Sequence, residues 1–120
     1  MMGKDGKPAQ VLVTGATGYI GGRLIRELLT HGYQVRVLVR DKRKLSDYPW
    51  RDQVEVVEGD AMDKVALEKA LKGIDLAYYL LHALMLSTDF EQAERDLAQY
   101  FGEVAKRENV QRIVYLGGIT

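Results

Sequence analysis

Apolar and polar positions follow two periods along this chain, and the switches between them lay out its elements. "VLVT" (Val11 to Thr14) is a short β-branched run bounded by glycine and reads as a buried strand. From Tyr19 to Thr30, Ile20, Leu24 and Leu28 recur at helical spacing, with Ile25 and Leu29 beside them. His31-Gly32 then reads as the helix end, with glycine at the left-handed position and His31 as a cap. "VRVLV" (Val35 to Val39) is a second strand, and "VEVV" (Val54 to Val57) a third, after a polar stretch carrying Pro49. Asp63 caps a helix over roughly Lys64 to Leu71 that stops at Gly73. "LAYYLL" (Leu76 to Leu81) is a fourth strand. "TDFE" (Thr88 to Glu91) fits a capping box and opens a long helix to about Glu108. "RIVYL" (Arg112 to Leu116) is a fifth strand.

Strands apolar on both faces, separated by helical crossovers, predict a parallel sheet covered on both sides. Right-handed crossovers then favour a doubly wound α/β sheet of five strands in the order 3-2-1-4-5. We see no internal repeat, low-complexity tract or linker. Residues 1–9 are expected to be a flexible N-terminal segment and 10–120 a single domain.

Composition narrows the function classes. The 120 residues are 47% hydrophobic and 28% charged, ordinary for a soluble domain with one core. Seventeen basic residues balance seventeen acidic ones, so no overall field points to nucleic acid or an anionic membrane. The absence of cysteine excludes disulfides, thiolate metal sites and cysteine nucleophiles. "MMGKDGKPAQ" lacks the apolar core of a signal peptide, and no apolar stretch reaches the length of a membrane span, so a cytoplasmic location is expected.

The chemistry gathers in "QVLVTGATGYIGG", where Gly15, Gly18 and Gly21 stand at three-residue intervals between the first strand and the first helix. The first N–H groups of a helix have no partner inside it, and its dipole favours an anion there. A diphosphate reaches those donors only where no side chain intervenes. Gly15 permits the tight turn, Gly18 the close approach and Gly21 the packing of helix on strand. The alternative, a glycine-rich turn without a ligand, is weakened by the context of a strand before and a helix after. The expectation is dinucleotide binding.

"TGATGYIGG" resembles the T-G-x-x-G-x-x-G motif of the extended and atypical short-chain dehydrogenase/reductases, in the flavour of NmrA-like NAD(P)H-binding proteins and relatives of the sugar-nucleotide epimerases. "VRVLVRDKRKL", "VEVVEGDAMDKVALEKALKGIDLAYYL" and "VQRIVYLGG" extend the resemblance from Gln10 to Gly118. It implies a Rossmann domain in which Thr17, Gly18, Tyr19 and Ile20 line the cofactor turn. A flavodoxin-like domain fits less well, its phosphate loop being richer in serine and threonine.

An acidic residue at the end of the second strand would favour NAD, whereas arginine there would favour the 2′-phosphate of NADP. The strand ends "VLVRDKRK", with Arg40 terminal, and an arginine fork matches phosphate geometry. The resemblance implies that Arg40, together with a second basic residue at Arg43 or Lys44, meets that phosphate. Lys42 reads as solvated, and Asp41 could take ribose hydroxyls if the loop shifted by one residue. NADP is therefore the expected cofactor, with NAD the alternative. In "EGDAMD" the resemblance gives Asp60, with the backbone of Ala61, the adenine amino group; the other reading is that Asp60 only shapes a turn. The resemblance also implies that Leu80, Leu81 and His82 pass the nicotinamide-side ribose. A histidine titrates near neutrality, so His82 has a proton-transfer reading beside the commoner one of a strand-end hydrogen bond.

Short-chain dehydrogenases use a Tyr-x-x-x-Lys pair, in which lysine lowers the tyrosine pKa. None of the seven tyrosines here has lysine four residues on, and "LGGIT" offers no serine after the fifth strand. No catalytic residue is therefore expected within these 120 residues. They are either the cofactor half of an oxidoreductase or epimerase-like enzyme, or a non-catalytic NADP(H)-sensing or scaffold domain. The fifth strand would be an apolar sheet edge, which predicts a homo-oligomer through that edge.

Overall fold

Val11 and Val13 leave one face of the first strand and Leu12 the other, and this alternation sets up two hydrophobic layers. The computed structural model describes residues 8–14, 19–60, 63–79 and 88–115; of residues 19, 20, 88–95, 97 and 115 it describes the backbone alone. Five strands, β1 (Gln10–Thr14), β2 (Gln34–Val39), β3 (Glu55–Glu58), β4 (Leu76–Tyr79) and β5 (Arg112–Tyr115), form one sheet in the order β3-β2-β1-β4-β5. All four pairings are parallel. Three helices connect them: α1 (Tyr19–Thr30), α2 (Lys64–Leu71) and α3 (Thr88–Arg107). This is the doubly wound α/β sheet that the alternation of apolar runs and helical patterns predicts.

On one face, α1 sets Ile25 and Leu28 against Val11, Val13, Val35, Val37 and Val39. On the other, Leu67 and Leu71 of α2 and Phe101 and Val104 of α3 close over Leu12, Leu38, Ala77 and Tyr79. The rings of Tyr79 and Phe101 meet edge to face, with centroids 4.8 Å apart. Each fully buried aliphatic or aromatic side chain contributes about 1.5–3 kcal/mol. That outweighs an exposed ion pair, worth about 1 kcal/mol at most.

Two differences from the sequence reading have clear causes. The polar stretch between β2 and β3 forms two 3₁₀ turns, Lys42–Leu45 and Arg51–Gln53. Leu45 and Trp50 are buried there under the α1 face, with Tyr48 stacked against Trp50 at 4.9 Å. Their spacing matches neither period, so the pattern gave no sign of them. Nor is β3 apolar on both faces: Glu55 and Glu58 are exposed and Val56 and Val57 half-buried, because β3 is the sheet's edge beyond β2.

Backbone chemistry terminates the helices. Gly32 has φ +85°, its N–H donates to Leu29 O, and Tyr33 N–H donates to Leu28 O, which is a Schellman closure. His31, expected as a cap, is left with an exposed i,i+4 contact to Glu27 at 3.5 Å. Asn109 does for α3 what Gly32 does for α1, with φ 62° and the same pair of bonds, to Lys106 O and Ala105 O. Asp63 caps α2 as expected, accepting from Val65 N–H at 2.9 Å. The proposed capping box at Thr88–Glu91 falls on side chains outside those described, though α3 starts at Thr88. Residues 1–7 lie outside the described residues; Ala9 is fully buried and its carbonyl accepts Gln34 N–H at 3.1 Å, so sheet bonding begins ahead of Gln10.

At the amino edge of the sheet, Asp75 is buried at 4% exposure. Its carboxylate accepts Gln10 N–H at 2.9 Å, its own N–H donates to Gln10 O at 2.9 Å, and its carbonyl accepts Gln111 N–H at 2.8 Å.

Candidate functional site at the carboxyl edge of the sheet

In a doubly wound sheet, the chain leaves β1 toward one face and returns to β4 from the other. The crevice between those two strands at their carboxyl ends is where ligands bind. Here the order reverses between β1 and β4, and Thr14, the last residue of β1, closes the gap. It is 1% exposed and its hydroxyl donates to the Tyr78 carbonyl of β4 at 3.2 Å. Sequence reasoning gave Thr14 no role; its one signal is a hydroxyl ending an otherwise aliphatic strand.

α1 begins at Tyr19, five residues after Thr14, and carries no acidic residue in its first turn. No side chain of that first turn therefore opposes an anion at the helix end. Gly21 is buried in the same turn. Gly22 faces Tyr48: a Cβ there would stand 3.9 Å from the tyrosine ring, so the segment after β2 rests against the start of α1. Of the remaining motif residues, Gly15, Thr17 and Gly18 lie outside the described residues, as do Ala61, Leu81 and His82; Tyr19 and Ile20 are described as helical backbone.

The second part of the site is the segment after β2. Arg40 follows Val39 directly and its side chain is 77% exposed. Asp41 is committed locally. It caps the first 3₁₀ turn, accepting Arg43 N–H at 3.0 Å. The Arg43 guanidinium also grips its carboxylate, with Nε 3.0 Å from Oδ1 and Nη2 2.9 Å from Oδ2. The side-chain and backbone hydrogen bonds from Arg43 hold the Asp41 carboxyl at about 2, below its ordinary 3.8. The same contact raises the Arg43 pKa. Lys42 N–H donates to Glu58 Oε2 at 2.9 Å, which ties the segment to β3. Arg40 is thus the strand-end cation presented to solvent, while Arg43 is engaged with Asp41.

The third part comes from β3. Gly59 N–H donates to Val39 O at 2.8 Å, continuing the ladder one residue past the strand, and Asp60 follows. The Asp60 carbonyl accepts Asp63 N–H at 2.8 Å, and its Oδ2 lies 3.8 Å from Arg40 Nη2. The fold therefore brings together Arg40 and Asp60, two site residues the sequence reading chose separately. Among the described residues, no cluster of His, Asp or Glu could hold a metal ion, and no helix is long and apolar enough to cross a membrane.

Comparison with known proteins agrees with this fold. A family profile described as NAD(P)H-binding matches residues 15–120. A ceramide reductase from Caulobacter vibrioides is 35% identical over 107 residues, which cover 87% of this chain and 33% of that protein. The chain thus spans about a third of the length of this relative. Among solved structures, triphenylmethane reductase from Citrobacter sp., complexed with NADP(H), superimposes with a TM-score of 0.70 at 27% identity, covering 88% of this chain and 36% of that one. NmrA, described as a negative transcriptional regulator, shares the fold with a TM-score of 0.71 at 22% identity, covering 91% of this chain and 33% of that one.

Proposed function

Since the chain belongs to the NAD(P)H-binding family of short-chain dehydrogenase/reductase type, we propose that it is the cofactor-binding half of a reductase and that it prefers NADP(H) to NAD(H). The observation that carries the preference is the contrast between Arg40 and Asp41. The carboxylate that could bind a ribose diol is already gripped by Arg43, whereas the guanidinium that could bind a 2′-phosphate is exposed at the end of β2. The NADP(H) complex of triphenylmethane reductase supports this reading.

The residues present fit such a cofactor: a helix start free of acidic groups, a buried glycine in its first turn, and an arginine at the adenosine end. In this assignment Gly15, Thr17, Gly18, Tyr19, Ile20 and Gly21 surround the diphosphate with backbone donors. Arg40 holds the 2′-phosphate, Asp60 and the backbone of Ala61 meet the adenine, and Leu81 and His82 flank the nicotinamide-side ribose. The bound nicotinamide supplies a hydride, and these residues bind and orient it.

Calorimetric titration with NADPH and NADH tests the preference. NADPH should bind more tightly, and Arg40→Ala should weaken NADPH by about 1.5–3 kcal/mol, the loss of a charged hydrogen bond. Equal affinities for the two, or an unaffected variant, would refute it.

A second reading rests on a separate observation: no tyrosine in these 120 residues has a lysine four positions on. On that reading the domain binds NADP(H) to sense it. Turnover of carbonyl substrates by the full-length gene product, or its absence there alongside tight NADPH binding, separates the two.

A further inference from the structure

Arg40 directly follows β2 and Asp60 lies two residues past β3: the strands pair Val39 with Glu58, the Gly59 N–H bond to Val39 O carries the ladder one step further, and Asp60 comes one position beyond the level of Arg40. Their charged groups lie 3.8 Å apart, too far for a hydrogen bond, and their side chains are 77% and 49% exposed. Such a pair adds little to stability. It does, however, set the electrostatic environment of Arg40, since Asp60 supplies a negative charge at the place where a 2′-phosphate would have to bind.

We infer that Asp60 tunes coenzyme preference by competing with the 2′-phosphate for Arg40. The inference rests on the proposal that Arg40 is the ligand of that phosphate. A dianionic phosphate entering beside Arg40 must draw the guanidinium from the Asp60 carboxylate. A ribose 2′-hydroxyl is uncharged and meets no such opposition. The carboxylate therefore lowers affinity for phosphorylated ribose while leaving the unphosphorylated form untouched, and keeps the discrimination moderate. Asp60 is a positioning and specificity residue here, acting through Arg40. This effect is separate from any hydrogen bond of Asp60 to the adenine, which both ligands would share.

The test compares two probes that differ only in the phosphate, adenosine 2′,5′-bisphosphate and adenosine 5′-monophosphate, by calorimetry on the purified protein. The readout is the ratio of their affinities, which cancels every contact common to both. Asp60→Asn should raise the preference for the bisphosphate about two- to fivefold, the scale of an exposed charge pair. The gain should shrink at high salt. It should also vanish when Arg40→Ala is already present, since the carboxylate acts through that arginine. An unchanged or lowered ratio in Asp60→Asn, or the same gain with Arg40 removed, would overturn the inference. Failure of the underlying reading looks different: Arg40→Ala alone would then leave the ratio at its wild-type value.

Discussion

A methyl group on Gly59 would stand 2.5 Å from the Cβ of Ala66, well inside van der Waals contact. The two residues thus fix how closely α2 approaches the end of β3, and with it the position of Asp60. Ala66 is buried in the helix and has no flexible end to move aside. Gly59→Ala should therefore destabilise the fold by about 1–3 kcal/mol, the usual range for overpacking. Combining it with Ala66→Gly should recover part of that loss. Urea denaturation of the two single variants and the double would show the coupling; additive losses would mean that the contact yields.

Arg36 should prove a structural residue despite its charge. Its side chain is 12% exposed, pairs with Glu55 at 2.9 Å, and donates from Nη1 to the carbonyls of Ala70 at 2.9 Å and Lys72 at 2.7 Å at the end of α2. A guanidinium there satisfies carbonyls that the helix cannot and offsets the negative end of its dipole. Arg36→Met keeps the volume and should cost about 1.5–3 kcal/mol in the urea midpoint, with the slope unchanged. Arg36→Lys should recover only part, because a compact ammonium lacks the planar fork that meets Glu55 from one nitrogen and the carbonyls from another.

The Asp41–Arg43 pair predicts a local acid transition. A carboxyl held below its free value stabilises the fold above that value, and the contribution is lost as pH falls from 3.8 through about 2. An NMR titration of the Asp41 carboxyl carbon should give a midpoint near 2, and Arg43→Ala should return it toward the ordinary 3.8. A midpoint indifferent to Arg43 would mean that backbone capping alone depresses it.

Gly18→Val should abolish dinucleotide binding and leave the fold intact, because a branched side chain would occupy the place of the diphosphate. Unchanged circular dichroism with no NADPH heat is the expected result. Normal binding by the variant would reduce the glycines to a structural role.

The fifth strand offers a test of association. Among the described residues β5 ends the sheet, bonded to β4 alone, with Ile113 and Val114 half-buried and no proline in the strand. Expressed in this form, the chain should self-associate through that edge. Concentration-dependent light scattering would show it, and Ile113→Lys should reduce it. A monodisperse monomer at all concentrations would show the edge tolerated bare.

Periodicity made the five strands and three helices legible because each core face has its own spacing: two for Val35, Val37 and Val39, three to four for Leu24, Ile25 and Leu28. It failed between residues 40 and 53, where Leu45 reaches the core from one 3₁₀ turn and Trp50 from just ahead of the next, in segments too short to show a period. It also hid Arg36, one charge inside an apolar run, because a strand pattern does not say that a helix end waits above it. At the site, motif chemistry selected Arg40 and Asp60 separately. Their proximity depends on β2 and β3 being neighbours in register, which only the assembled sheet provides.

Asp75 has a consequence for alignment. No turn joins β1 to β4, and 65 positions separate the two residues that pair at their start. Parallel strands brought together from so far apart could settle one residue out of step, a shift of about 3.3 Å that turns each side chain to the opposite face. Ala77 and Tyr79 would then trade places with Leu76 and Tyr78, and Thr14 would lose the Tyr78 carbonyl. A carboxylate that accepts the Gln10 N–H, beside an amide that donates to the Gln10 carbonyl, can do both in one alignment only. Asp75 therefore works as a stop at the foot of the sheet, setting how far β4 rises beside Thr14 at the end of β1.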